Sequence, residues 1–205
     1  MSEGEAGGSA SGMLDAIAAV AEALRLVRSG GMLIGGMAAI VHGVPRLTRD
    51  IDITVSGEGV DIDELSGLLR SCGIVPRIDD AVGFAKEHQV LLMQHRDSGI
   101  EIDVTVAWLP FEREALAAAR PVRIGRAELP VVRPEDLVVY KLVAWRPQDQ
   151  QDVERLLELH GGGMDLSRIR AIVQQFAEVL EAPERPAELD ALARRVLGTR
   201  GGTPE

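Results

Sequence analysis

The segment at residues 31–55 constrains the fold of this chain more than any other part of the sequence. It opens with the apolar residues 32–34, which are typical of a short strand, and breaks at the pair Gly35-Gly36. Small residues at 37–42 then favour a short helix, and a turn through glycine and proline leads into a second strand. The segment therefore predicts two strands joined by a glycine turn and a helix.

The second strand carries two aspartates with one residue between them. Asp50 and Asp52 alternate with Ile51, Ile53 and Val55. Because side chains on a strand alternate between its faces, the two carboxylates point the same way and the apolar side chains point into the core. Two carboxylates beside a glycine turn suit a divalent metal ion that carries a nucleoside triphosphate. This pattern predicts a nucleotide and metal site at Asp50 and Asp52.

A later strand supplies further carboxylates. Glu101 and Asp103 share one face of a predicted strand at residues 100–107. This strand forms a hairpin with residues 88–95, because the turn-rich residues 96–99 lie between the two. If the strand also lies beside the strand of Asp50 and Asp52, the carboxylates converge on one side of a sheet.

Such a cluster repels itself without a metal ion. Two Mg²⁺ (or Mn²⁺) ions roughly 3.5–4 Å apart would relieve the repulsion and hold both the attacking oxygen and the triphosphate. Asp50 and Asp52 would bind metal, and Asp103 would complete the metal site on the nucleophile side or act as a general base. The alternative is a set of surface acids on a half-exposed sheet, with a structural glycine turn beside it.

Spacing alone does not single out a metal site in a chain this acidic. Asp61-Ile62-Asp63 has the same spacing, but it begins a predicted helix, where acidic side chains complement the helix dipole. The strand context and the glycine turn are what distinguish Asp50 and Asp52.

Composition excludes several classes of protein. The 205 residues carry a net charge of -10, which is not the basic surface that wraps long nucleic acid, although a local basic groove is still allowed. The single cysteine excludes an intrachain disulfide and a multi-cysteine zinc site. The sequence has neither an apolar run of about 20 residues nor the charged start of a signal peptide. We therefore expect a cytoplasmic protein with no membrane partner.

The chain divides near Arg133, beyond which the pattern becomes wholly helical. The predicted segments are a disordered tail at 1–12, an α/β core with a mixed sheet at 13–133, a C-terminal α-helical domain at 134–198 and a disordered tail at 199–205. Predicted helices lie at 13–27, 61–69, 110–119, 134–145, 148–160, 165–180 and 186–197, predicted strands also at 121–124 and 127–132, and residues 74–86 are predicted as one strand and a loop.

Lys141 and Asp152 stand out in the helical domain. Lys141, one of two lysines in the chain, lies at helical spacing on a stripe with Leu137 and Tyr140. A lysine on an apolar stripe either extends to water or meets an anion such as a triphosphate. Asp152 also faces an interface. The alternative is an interhelical ion pair, Lys141–Asp152 or Arg146–Asp149, that holds the helical domain together.

Two arginines flank the acidic strand. Arg46 and Arg49 either steer a nucleotide or an RNA end, or are ordinary surface arginines. The residues alone favour neither interpretation.

The motif LIGGMAAIVHGVPRLTRDIDITV, followed by IEIDVTV, resembles the polymerase-beta type of nucleotidyltransferase. Within that superfamily, RLTRDID and the later PEDLVVYKLVAWRPQDQQDVERLL resemble the AbiEii-like branch, which includes toxins of type IV toxin–antitoxin systems. The resemblance implies a nucleotidyltransferase core in the α/β part of the chain. Many members of this branch have Gly-Ser where this chain has Gly35-Gly36, so a hydroxyl contact to phosphate is absent here.

The resemblance also implies roles for individual residues. The matching positions are Gly35 and Gly36 for the triphosphate, Asp50 and Asp52 for metal, Asp103 as the third carboxylate, and Lys141 and Asp152 as the later Lys and Asp of the branch.

The activity that this resemblance implies is transfer of NMP from an NTP to an acceptor hydroxyl, with release of pyrophosphate. A tRNA 3′ end, a protein side chain or a small molecule such as an aminoglycoside is the implied acceptor, and a cognate antitoxin is the implied protein partner. The rival is a nucleotide-binding module without turnover.

Overall fold

The structure is a computed structural model and describes residues 3–198. Its strands are β1 (Gly31–Ile34), β2 (Asp50–Ser56), β3 (Ile74–Pro76), β4 (Val90–His95), β5 (Glu101–Ala107), β6 (Arg120–Ile124) and β7 (Ala127–Val131). Its α-helices are α1 (Glu3–Leu26), α2 (Gly35–Val41), α3 (Ile62–Ser71), α4 (Ala81–His88), α5 (Pro110–Ala118), α6 (Pro134–Ala144), α7 (Pro147–His160), α8 (Leu166–Val179) and α9 (Arg185–Gly198). One 3-10 turn, Gly161–Gly163, follows α7.

The chain forms two compact units. Within the described residues, the sheet unit comprises residues 3–38 and 47–132, and the helical unit comprises residues 39–46 and 133–198. The helical unit is therefore built from two separate stretches of chain, of which the shorter includes the end of α2.

The sheet unit contains one mixed sheet with the strand order β3-β4-β5-β2-β1-β7-β6. The β2–β5 and β1–β7 pairs are parallel, and the remaining pairs are antiparallel. This arrangement, together with the helices beyond Arg133, confirms the predicted fold class of an α/β core with a mixed sheet and a C-terminal helical part.

Strand alternation divides the central strands into an apolar face and a polar face. The odd-numbered positions of β2 and the even-numbered positions of β5 are buried, and their side chains form the core: Ile51, Ile53, Val55, Ile102, Val104 and Val106. Asp50, Asp52, Glu101 and Asp103 alternate with them and lie on the opposite face. Burial of one face therefore fixes the register, since a slip by one residue would bury the acids.

The segment before β4 differs from its prediction. Residues 81–88 form helix α4 rather than a loop, so His88 ends a helix and does not begin a strand. Asp80 caps this helix, because its Oδ1 accepts the backbone N–H of Gly83 at 2.8 Å, and Gln89 ends it with a left-handed φ of 59°. An acidic residue before a short apolar stretch is the signal that could have identified α4.

The start of the chain also differs from its prediction. Helix α1 begins at Glu3, so residues 3–12 are helical and the predicted disorder is wrong there. Adding residues to an existing helix costs little once the first turn has formed, which explains why alanines and glutamates extend it despite several glycines. The predicted tail at 199–205 and residues 1–2 lie outside the described residues.

The helical unit follows the predicted pattern within one or two residues at each helix end. Pro134 and Pro147 occupy the first turn of α6 and α7, and Asp165 caps α8 by accepting the N–H of Arg168 at 2.9 Å. The fully buried apolar side chains of α6, α7 and α8 are Leu137, Val138, Val139, Leu142, Val153, Leu156, Leu157, Ile169 and Val173. None of the helices at residues 3–198 is long and apolar enough to cross a membrane.

Candidate active site

Two neighbouring strands bring the predicted carboxylates together. Strands β2 and β5 are parallel and in register, so that Asp50 lies beside Glu101 and Asp52 lies beside Asp103. All four side chains share the polar face, because their positions along the two strands have the same alternation. The predicted convergence of the acids on one side of the sheet is confirmed.

The glycine turn lies directly against one of these acids. Ile34, the last residue of β1, pairs with Asp52, and Gly35 follows with a left-handed φ of +66°. A β-carbon on Gly35 would lie 2.6 Å from Asp52 Cγ and would overlap the carboxylate. Only glycine satisfies both the backbone angle and the space at this position.

Asp50 is oriented by a residue that sequence analysis did not single out. The hydroxyl Oγ1 of Thr48 donates to Asp50 Oδ1 at 2.6 Å. The spacing of two residues is the available signal, since threonine and aspartate at such spacing form local side-chain hydrogen bonds. Arg49, between them, is exposed.

Asp103 has a charged partner that sequence analysis also missed. Arg77 Nη1 lies 2.6 Å from Asp103 Oδ1 and 3.5 Å from Glu101 Oε2. Arg77 follows the edge strand β3, and its backbone N–H donates to the carbonyl oxygen of Leu92 on β4 at 3.1 Å. Its side chain therefore reaches across β4 to the carboxylates of β5.

The chemistry of the carboxylates fits a magnesium-type ion. Within residues 3–198, no group of three or more His, Cys, Asp or Glu side chains is arranged to hold a metal ion. Mg²⁺ does not require such a group, since it is usually bound by one or two carboxylates, with water and substrate phosphates as its other ligands. Asp50 and Asp52 supply two carboxylates of this kind, and the missing β-carbon of Gly35 leaves room for the Asp52 carboxylate beside the turn.

The helical unit contains a second charged cluster. Lys141 Nζ lies 2.9 Å from Asp149 Oδ1 and 2.9 Å from Asp152 Oδ2. Arg46 Nη1 lies 2.6 Å from Asp152 Oδ2, and the backbone N–H of Arg146 donates to Asp149 Oδ2 at 3.0 Å. Lys141, Asp149 and Asp152 are at most 7% exposed, so two cations and two carboxylates neutralise one another in the interior.

The contacts in this cluster bear on the alternatives that were open for Lys141, Asp152 and Arg46. The Lys141–Asp152 ion pair, one of the two predicted alternatives, is present. The interpretation of Arg46 as an ordinary surface arginine is wrong, because its guanidinium is half-buried against Asp152. Asp149, predicted as a partner of Arg146, accepts hydrogen bonds from Lys141 Nζ and from the backbone N–H of Arg146.

A mixed sheet with a glycine turn against paired aspartates defines the class of protein that sequence analysis indicates, the nucleotidyltransferases. A family model described as nucleotidyl transferase AbiEii toxin, type IV TA system, matches residues 13–199. Because the match covers most of the chain, the chain belongs to this family. The predicted resemblance to the AbiEii-like branch and the prediction of a nucleotidyltransferase are confirmed.

Two solved structures are similar to this chain over most of its length. One is an antigenic nucleotidyltransferase-like protein from Paracoccidioides brasiliensis, with a TM-score of 0.46 and 16% identity over 87% of this chain and 92% of that chain. The other is ANT(2")-Ia in complex with adenylyl-2"-tobramycin, with a TM-score of 0.43 and 17% identity over 91% of this chain and 98% of that chain. No curated protein matches the sequence.

Proposed function

We propose that this protein transfers NMP from an NTP to an acceptor hydroxyl with the aid of a divalent metal ion, Mg²⁺ or Mn²⁺. The observation that carries the proposal is the placement of Asp52 between Gly35 on one side and Asp103 on the other. Nucleotidyl transfer needs three components that this arrangement supplies: a turn without a side chain, two carboxylates for the metal, and a third carboxylate one strand away.

Each group of the polar face has a role in this reaction. Asp50 and Asp52 hold the metal, and Thr48 fixes the orientation of Asp50 through its hydroxyl. The metal, when bound, neutralises the triphosphate and stabilises the charge that develops on its phosphate oxygens. We assign the backbone at Gly35 and Gly36 to the phosphates, and the missing side chain at position 35 leaves room for the Asp52 carboxylate beside that backbone.

The transfer is a single displacement at the α-phosphorus, in which one bond forms and one bond breaks. The acceptor oxygen forms a bond to the α-phosphorus while the bond from that phosphorus to the bridging oxygen of the β-phosphate breaks, and pyrophosphate leaves. The acceptor hydroxyl loses its proton to a carboxylate, for which Asp103 is the candidate if it is not itself a metal ligand.

Other residues are assigned to nucleotide binding on the basis of the family. Lys141 and Asp152 match the later Lys and Asp of the branch, and Arg49 is an exposed cation next to Asp50. A buried cluster of ion pairs is weak evidence for stability, because apolar replacements are often as stable. A role in binding the triphosphate gives a reason for keeping four charges in the interior of the helical unit.

The family also indicates the biological setting. A type IV toxin–antitoxin system implies a cytoplasmic enzyme with a cognate antitoxin, and we propose a tRNA 3′ end or a protein side chain as acceptor. A small hydroxylated molecule is the second candidate, because the net charge of -10 disfavours an extended grip on RNA.

The proposal is tested by incubating purified protein with Mg²⁺ and each α-³²P NTP in turn. Total RNA, lysate protein and an aminoglycoside are offered as separate acceptors. The Asp50→Ala/Asp52→Ala variant runs alongside, and the Asp61→Ala/Asp63→Ala variant is the control with the same spacing of acids.

Label on one acceptor that is lost in the first variant and kept in the second supports the proposal and identifies the base and the acceptor class. NTP binding that depends on Asp50 and Asp52 without any transfer would favour a binding module. Absence of both transfer and NTP binding would contradict the proposed function.

A further inference from the structure

Arg77 occupies a defined place in the row of side chains that crosses the polar face. The backbone hydrogen bond from Arg77 to Leu92 continues the pairing of β3 with β4, and Leu92 pairs in turn with Asp103. Asp103 pairs with Asp52 on β2. The row therefore runs Arg77, Leu92, Asp103, Asp52, and the guanidinium passes over Leu92 to reach the acids.

The guanidinium is shared by the two carboxylates of β5. It lies 2.6 Å from Asp103 Oδ1 and 3.5 Å from Glu101 Oε2, and its side chain is only 20% exposed. On β2, Asp50 accepts a hydrogen bond from the neutral hydroxyl of Thr48. Arg77 therefore places positive charge on β5, directly beside the third carboxylate.

A divalent ion at Asp103 would conflict with this arrangement. Mg²⁺ needs carboxylate oxygens at about 2.1 Å in near-octahedral geometry. An ion at Asp103 Oδ1 would displace Arg77, and an ion at the other oxygen of the same carboxylate would lie close to a half-buried cation. Like charges at such a distance repel strongly where water is partly excluded.

We propose that Arg77 is a positioning residue that restricts the site to one divalent ion, held by Asp50 and Asp52, and reserves Asp103 as the base for the acceptor hydroxyl. This inference rests on the proposed function and decides between the two roles open to Asp103. Arg77 holds Asp103 Oδ1, so the second oxygen, Oδ2, is the one that accepts the proton.

The inference is tested by the number of Mn²⁺ ions that the full chain binds, measured by equilibrium dialysis and by the electron paramagnetic resonance of free Mn²⁺. The unaltered protein binds one ion, Asp52→Asn loses it, and Asp103→Asn keeps it. Arg77→Gln binds two ions, since the repulsion is gone, whereas Arg77→Lys keeps the charge and binds one. Arg126→Gln is the matched control, because Arg126 forms an exposed ion pair with Asp15 elsewhere in the sheet unit.

A kinetic measurement separates positioning from general stability. Arg77→Gln lowers kcat by about 100-fold, at the lower end of the range of general base catalysis, and leaves the KM for NTP unchanged. The Arg77→Gln/Asp103→Asn variant returns to one bound Mn²⁺, because the second ion needs the Asp103 carboxylate.

Two results would overturn the inference and leave the proposed function intact: two Mn²⁺ ions per unaltered chain, or loss of the single ion in Asp103→Asn. The second result remains informative if Arg77→Gln fails to fold. NMP transfer that accompanies either of these two results contradicts the inference alone, whereas a protein that neither binds Mn²⁺ nor transfers NMP contradicts both.

Discussion

The backbone of Gly35 lies so close to the carboxylate of Asp52 that a β-carbon at position 35 would come within 2.6 Å of Asp52 Cγ. The glycine turn and the acidic strand are therefore a single structural feature. A substitution at Gly35 displaces the carboxylate proposed to bind metal, even though Gly35 has no side chain of its own.

Gly35→Ala is expected to abolish Mn²⁺ binding. It is also expected to lower the unfolding free energy by more than the cost of placing an alanine at a left-handed backbone angle. Gly59→Ala is the matched control, because Gly59 has nearly the same φ, +67°, while no atom of residues 3–198 lies within 4 Å of the place that its β-carbon would take. The control should lose about 1–2 kcal/mol of unfolding free energy, the cost of a left-handed alanine. Urea denaturation and Mn²⁺ titration measure the two effects, and equal losses in both variants would contradict the steric argument.

Thr48→Val is expected to weaken Mn²⁺ binding by about fivefold, which corresponds to the loss of one hydrogen bond worth about 1 kcal/mol. The hydroxyl that fixes Asp50 Oδ1 is removed, while the shape of the side chain is kept. Thr48→Ser retains the hydroxyl and should bind Mn²⁺ as the unaltered protein does. Isothermal titration compares the three proteins, and weaker binding in the serine variant would show that the methyl group matters instead.

Lys141→Ala is expected to lower the unfolding free energy by about 3–5 kcal/mol, because Asp149 and Asp152 are left buried with too little positive charge. The other lysine provides the control. Lys86 is exposed, and its hydrogen bond to Asp63 raises its pKa, but exposed ion pairs add little to stability. Lys86→Ala should leave the urea midpoint unchanged, and NTP binding by both variants shows whether Lys141 also contacts the nucleotide.

Asp136→Ala is expected to destabilise the helical unit by about 3 kcal/mol without any change in Mn²⁺ binding. Asp136 is fully buried and accepts hydrogen bonds from Arg133 Nε at 2.8 Å and Arg168 Nη1 at 2.7 Å. Glu135→Gln is the control, since Glu135 pairs with Arg133 at a more exposed position. Thermal unfolding measures the stability, and Mn²⁺ titration measures the metal affinity. A loss of metal affinity alongside the loss of stability would contradict this expectation.

Sequence reasoning located the strands of the site because their signals are local. The alternation of Asp50 and Asp52 with buried isoleucines specifies which face each residue occupies, and Glu101 and Asp103 repeat the same pattern. The glycine pair marked the turn, and the helices predicted at 134–145 and 148–160 agree with α6 and α7 within one residue at each end. Each of these features depends on neighbouring residues, so each can be read directly from the chain.

The charged contacts of Arg77 and Arg46 could not be predicted, because the residues that form them are distant in sequence. Arg77 meets a carboxylate 26 residues away, and Arg46 meets one 106 residues away. No local periodicity links such positions, and an arginine in a loop looks like a surface residue until the fold closes around it. Helix α4 was missed for a different reason, since eight residues with an internal glycine give too short a periodic signal.

The split composition of the helical unit has a consequence for its synthesis on the ribosome. His160 Nε2 donates to the carbonyl oxygen of His42 at 2.8 Å, and Asp152 binds Arg46 at 2.6 Å, so residues 39–46 complete a unit whose remainder is made later. During translation, residues 39–46 leave the ribosome first and lack their contacts to Asp152 and His160 until α7 has left the exit tunnel. The helical unit therefore closes after translation has passed His160, and a gene fragment that starts at Arg133 encodes a unit with a missing piece.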